Sequence, residues 1–232
     1  MLPPDLRTAE EELHAALVSA LAAGSRGRWT VELRFEGLRL LAPVLRLAQA
    51  LARDGVSFRL LFADAGAAAL ARRDGADVAE RIASFGDRLR AIQGGAEPDP
   101  AEVLLLVAPS QAEYEVVEAL CEGHPGSVAL INPALEDAAV GIGSVARQRR
   151  RGFLSGWSAA YALIPRADSA LRRCHPGDWE VYRLDPDGYR PVATFPQKPD
   201  GEQLEAALGG GQEQGLAATL RSVDRLLEGL QN

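Results

Sequence analysis

Val103-Leu104-Leu105-Leu106-Val107, running on into Ala108-Pro109-Ser110, is the stretch that decides the fold. Five consecutive apolar residues with no polar alternation describe a strand buried on both faces, as strands are in a parallel sheet covered by helices. The run is too short for a buried helix, and Pro109 punctuates its end. Ser110 then opens a helix whose apolar side is Tyr114, Val117 and Leu120.

Working outward, the same alternation of strand and helix repeats. Leu6, Leu13, Leu17, Val18 and Leu21 recur at helical spacing over residues 6–23, with Glu10, Glu11 and Glu12 in the early turns. Trp29 to Phe35 alternates apolar and polar as a half-buried strand does. Leu40 to Arg53 reads as a second helix, stopped at Asp54-Gly55, and Ser57 to Phe62 as the next strand. The alanine-rich run Gly66–Arg73 follows as a third helix. Residues 86–100, rich in glycine, proline and acid, read as a loop, and Ser127 to Ile131 is a fourth strand ending in Asn132-Pro133.

Four strands separated by helices predict an α/β fold: a Rossmann-like, mostly parallel sheet flanked by helices. The texture changes after residue 160. Trp179–Leu184 and Tyr189–Phe195 flank Asp185-Pro186-Asp187-Gly188 and read as an antiparallel C-terminal hairpin, with Tyr161–Ile164 a further strand. Residues 1–207 are expected to form a single α/β domain. Residues 208–232 read as a glycine-rich joint and a closing helix over Leu216–Leu230.

Composition narrows the function classes. Of the 232 residues 47% are hydrophobic and 25% charged, a globular balance that excludes disorder throughout. A net charge of -7 argues against general affinity for nucleic acid. Lys198 is the only lysine and lies between prolines, which closes P-loop and Schiff-base chemistry. Cys121 and Cys174 lack CxxC spacing and read as free thiols of a reducing compartment. Three scattered histidines, His14, His124 and His175, assemble no metal site. No secretory signal and no apolar run of about twenty residues is present, so the expected location is cytoplasmic.

Ligands of open α/β sheets bind beyond the carboxyl ends of the strands. Those ends carry Asp64, Ser110 and Asn132, with Glu136 and Asp137 close behind, and Arg147 completes a ligand-binding candidate set. Each of the first three is also a preferred helix N-cap, a role compatible with ligand contact. Gly141-Ile142-Gly143 ahead of Arg147, Arg149, Arg150 and Arg151 suits an anion, although no third glycine stands at dinucleotide-binding spacing. From Ser144 to Arg173 there are seven arginines against one acid, Asp168, a local excess of positive charge in an acidic chain. A solvated face and a docking surface for an acidic partner or anionic lipid both fit it. No stacking platform accompanies the arginines, so nucleic acid is not expected. No catalytic triad, paired carboxylates or cofactor can be argued from spacing.

Several of these segments together resemble the DUF1995 family of cyanobacteria and chloroplasts. They are Phe62–Arg73, Val107-Ala108-Pro109-Ser110, Asn132-Pro133-Ala134-Leu135-Glu136-Asp137, Val140–Gly143 with Ala146-Arg147-Gln148, Phe153-Leu154-Ser155, Trp179 and Gln197-Lys198-Pro199. The resemblance implies a role near thylakoid protein biogenesis, in the manner of the low photosystem II accumulation factors; together with the local charge excess it leads to the expectation of a non-enzymatic factor that docks through the arginine-rich segment 144–173. It implies photosystem II subunits or assembly proteins as partners, with peripheral contact to the membrane. The alternative is a small-molecule-binding α/β protein or enzyme, for a nucleotide or phosphometabolite, that uses the strand-end crevice; some plant relatives carry the domain beside an adenylate-kinase domain, which hints at nucleotides. The chain departs from the family at Gly156–Tyr161, where relatives have a longer stretch bearing aromatics and cysteine.

Overall fold

The computed structural model describes residues 1–24, 26–135 and 152–209. Two compact units emerge. The larger is Pro3–Ile164 with Arg173–Gly177, and the smaller is Met1–Leu2, Pro165–Arg172 and Asp178–Asn232.

The larger unit begins with α1 (Leu6–Ala22), capped by Asp5, whose carboxylate accepts from the Thr8 amide. In chain order follow β1 (Arg28–Leu33), α2 (Leu41–Arg53), β2 (Phe58–Phe62), α3 (Ala65–Asp74), β3 (Ile82–Ser84), α4 (Phe85–Gln93), β4 (Val103–Val107), α5 (Tyr114–Glu122), β5 (Val128–Ile131) and β6 (Ser158–Pro165). The six strands lie in the order β3-β2-β4-β5-β1-β6, and every pairing among them is parallel. All five residues of β4 are buried, as the unbroken apolar run predicts. α1, α2 and α3 cover one face of this sheet. α4 and α5 cover the other, around a cluster holding Phe85, Leu104, Leu106, Val117, Leu120 and Leu130.

The smaller unit carries most of β7 (Ser169–Cys174), then β8 (Trp179–Asp185) and β9 (Gly188–Phe195). β8 and β9 form the expected antiparallel hairpin, joined by Pro186-Asp187 with Gly188 at φ +121. Pro191 in β9 has no N–H to donate to a ladder. Residues 201–209 are helical, and the rest of the expected joint and closing helix lies outside the described residues.

Two expectations need correction. Residues 86–93 belong to α4 rather than a loop. Ser84 caps this helix through the Asp87 amide, and Phe85, Leu89 and Ile92 recur at helical spacing toward the core. Glycine and charge concealed that period. The parallel strands number six among the described residues, not four: the three-residue β3 was too short to read, and β6 pairs in parallel with β1.

Candidate functional site

Parallel pairing brings the carboxyl ends of β2, β4, β5 and β1 to one edge. Asp64, Ser110 and Asn132 therefore share a rim, on three neighbouring strands. Glu136, Asp137, Arg147, Arg149, Arg150 and Arg151 lie outside the described residues.

The three described side chains are engaged with the protein's own backbone. Asp64 Oδ1 accepts from the Ala67 amide at 2.8 Å and caps α3. Ser110 forms a capping box: its Oγ accepts from the Ala112 amide at 3.2 Å, while the Glu113 carboxylate accepts from the Ser110 amide at 2.9 Å.

Asn132 is not a helix cap. It stands at φ +48, and its carboxamide clasps the end of β1, Oδ1 accepting from the Leu33 amide and Nδ2 donating to the Leu33 carbonyl, both at 2.7 Å. A side-chain amide thus imitates one more residue of sheet ladder. Only asparagine among common residues combines tolerance of this backbone region with an adjacent donor and acceptor.

The neighbouring strand repeats the kink. Ala108 has φ +47 just before Pro109, as Asn132 has just before Pro133. Val107 and Ile131, the residues before these kinks, are paired in register. Beyond them the segments that follow β4 and β5 meet again, the Ala134 amide donating to the Pro109 carbonyl at 2.8 Å. Arg34 adds a second clasp, donating to the Pro133 carbonyl at 2.5 Å and to Glu32 at 3.1 Å. Among the described residues, hydrogen bonds thus bridge β4, β5 and β1 along this rim.

Among the described residues, open space lies on the α1–α2 face. A cavity of about 420 Å³ sits between these helices, reaching Leu33 and Ile131 at the ends of β1 and β5. β1 leads into α2 on this face, whereas the chain after β5 packs Leu135, Phe153 and Trp157 into the opposite cluster. The connections diverge here, which is where open α/β sheets form crevices. The cavity floor is apolar, formed by Leu13, Val44 and Leu47 beside the two strand ends.

Its mouth is charged and mostly paired. Arg46 forks onto Glu10 with contacts of 2.6 and 2.7 Å, His14 meets Asp54 at 2.8 Å, and Arg7 meets Glu11 at 3.2 Å. The fork holds the Arg46 guanidinium above its ordinary pKa. Arg53, exposed at the end of α2, makes no ion pair among the described residues. A shallower hollow of about 470 Å³ shares Pro43 and Arg46 and is walled by Pro3, Pro4, Phe35 and Arg39.

Sequence reasoning missed this cavity. The available signal was Arg7, Glu10, Glu11 and His14 on one helical stripe and Arg46, Gln49 and Arg53 on another. What stayed illegible was that α1 and α2 pack side by side. Among the described residues no cluster of His, Cys, Asp or Glu could hold a metal ion, and no helix is long and apolar enough to cross a membrane.

The family model described as "Domain of unknown function (DUF1995)" matches residues 3–206. No curated protein matches the chain. Among solved structures, the chain is similar to one described as the structure of Drosophila ORC bound to poly(dA/dT) DNA and Cdc6. Identity there is 12% and the TM-score 0.37, over 69% of this chain and 29% of that one. The chain thus spans under a third of that protein's length.

Proposed function

The chain belongs to the DUF1995 family, and from that membership we propose that it acts as a non-enzymatic factor in photosystem II assembly or maintenance, peripheral to the thylakoid. The resemblance already described supports the setting. One structural observation supports docking as the mode of action: the described residues on either side of the arginine-bearing stretch pack into a single core cluster. Leu135 is 1% exposed within that cluster, and Phe153, Leu154 and Trp157 pack against it. Phe153 stands edge-on to Tyr114 with ring centroids 5.8 Å apart, and it is 5.5 Å from Trp157.

The sequence between these anchors carries Arg147, Arg149, Arg150 and Arg151. Guanidinium groups suit carboxylate-rich partners such as photosystem II subunits or their assembly proteins.

Replacing the four arginines by glutamine tests the reading in the native host. The expected result is reduced membrane association and reduced photosystem II accumulation, with an unaltered fold by circular dichroism. Normal accumulation in a stably expressed variant would rule this role out.

A further inference from the structure

We infer that the cavity between α1 and α2 is a binding site for a small organic anion, one with an apolar body and a single carboxylate, sulfonate or phosphate head. This inference is independent of the arginine-rich segment and of the assembly role.

Size and chemistry carry it together. A volume of about 420 Å³ falls within the range of roughly 300–1,000 Å³ occupied by small-molecule sites. Leu13, Leu33, Val44, Leu47 and Ile131 give the floor no side-chain hydrogen-bonding group, so water inside is weakly held and an apolar body displaces it readily.

The mouth decides the sign of the head. Two of the three carboxylates there are held by arginines, Glu10 by Arg46 and Glu11 by Arg7, while Asp54 lies 2.8 Å from the His14 ring. Arg53 is the lining cation with no carboxylate partner among the described residues, and its exposed guanidinium is accessible to a ligand. An anionic head completes it. A cationic head would meet the exposed Arg53 guanidinium. Position adds to the argument, because the cavity stands where the connections from β1 and β5 part to opposite faces of the sheet.

The test is a fluorescence titration of the full chain with anilinonaphthalene sulfonate, followed by displacement with decanoate and, separately, with decanol. The expected outcome is saturable one-to-one binding, with decanoate displacing the probe at about tenfold lower concentration than decanol. Ala50→Phe places a ring into the cavity from α2 and is expected to abolish saturation. Arg53→Gln, a change at an exposed side chain, is expected to weaken binding about tenfold without moving the unfolding midpoint. Absence of saturable binding to the wild-type chain overturns the site. So does wild-type affinity in Ala50→Phe. If Ala50→Phe fails to fold, wild-type affinity in Arg53→Gln, or equal displacement by decanol and decanoate, overturns the recognition of an anion.

Discussion

Glu102 lies with its side chain 9% exposed between two guanidinium groups. Arg59 donates to Oε1 at 3.1 and 2.9 Å and Arg88 to Oε2 at 2.8 Å. Arg88 is itself only 11% exposed, so removing the carboxylate strands a buried cation. Glu102→Ala is therefore expected to cost about 3–5 kcal/mol in urea unfolding, with Glu102→Gln intermediate. An unchanged midpoint in Glu102→Ala would refute the role of the triad. His124, fully buried, donates from Nε2 to the Glu102 carbonyl at 2.7 Å, which fixes the proton on that nitrogen and leaves Nδ1 as the buried lone pair. Protonating Nδ1 would bury a charge, so burial holds the His124 pKa below its ordinary value, and the Arg28 and Arg88 cations act in the same direction. Below a pH of about 6.5 the unfolded chain takes up a proton that the folded chain refuses. Stability is thus expected to fall as pH drops from 7.5 to 5.5, and His124→Gln should flatten that fall. A wild-type slope in the variant would count against it. Neither Glu102 nor His124 was readable in advance, because their partners lie 14 to 43 residues away in sequence.

Elements end here by devices of differing legibility. The cap of α3 at Asp64 and the capping box at Ser110 follow from residue type and spacing, and both appear in the structure. Asn132 has an equally good capping side chain yet clasps Leu33, a residue 99 positions earlier, because β1 happens to lie beside β5. Asn132→Ala loses two hydrogen bonds and leaves a side chain strained at positive φ, for an expected loss of about 2–3 kcal/mol. Asn132→Gly keeps the backbone geometry and should lose less, so unfolding midpoints ordered wild type, Gly, Ala are expected. Any other order would mean that the clasp and the kink are not both stabilising. α4 makes the complementary case. Its cap, Ser84, both accepts from the Asp87 amide at 3.0 Å and donates to the Asp87 carboxylate at 2.7 Å. That second bond holds the Asp87 pKa below its usual range. Ser84→Ala should cost about 1 kcal/mol, measured by thermal or urea unfolding. The helix was missed because its nine residues hold one glycine and four charged or amide side chains, which mask a three-residue apolar stripe.

At the scale of the molecule, packing governs reactivity and location of function. Cys121, on α5, is buried in the core cluster, and burial pushes its thiol pKa up to about 12. A thiol reagent at pH 8 is expected to modify Cys121 only at the rate of unfolding, with label at this site appearing in step with loss of the helical signal. Rapid labelling of Cys121 in folded protein would show that the core opens locally. The sequence by itself determined which segments are strands and helices wherever apolar period and capping chemistry agreed, and from these the parallel class of the sheet. It also established membership of a family through dispersed motifs, since local residue order is all that either inference requires. Tertiary structure alone decided that Asn132 and Arg34 tie the ends of β5 and β1 together, and that a cavity lies between α1 and α2. The reason is physical: a hydrogen bond or cavity wall joining residues about a hundred positions apart depends on strand order. Strand order follows from how the apolar faces cover one another as a whole, and no stretch of the chain records it locally.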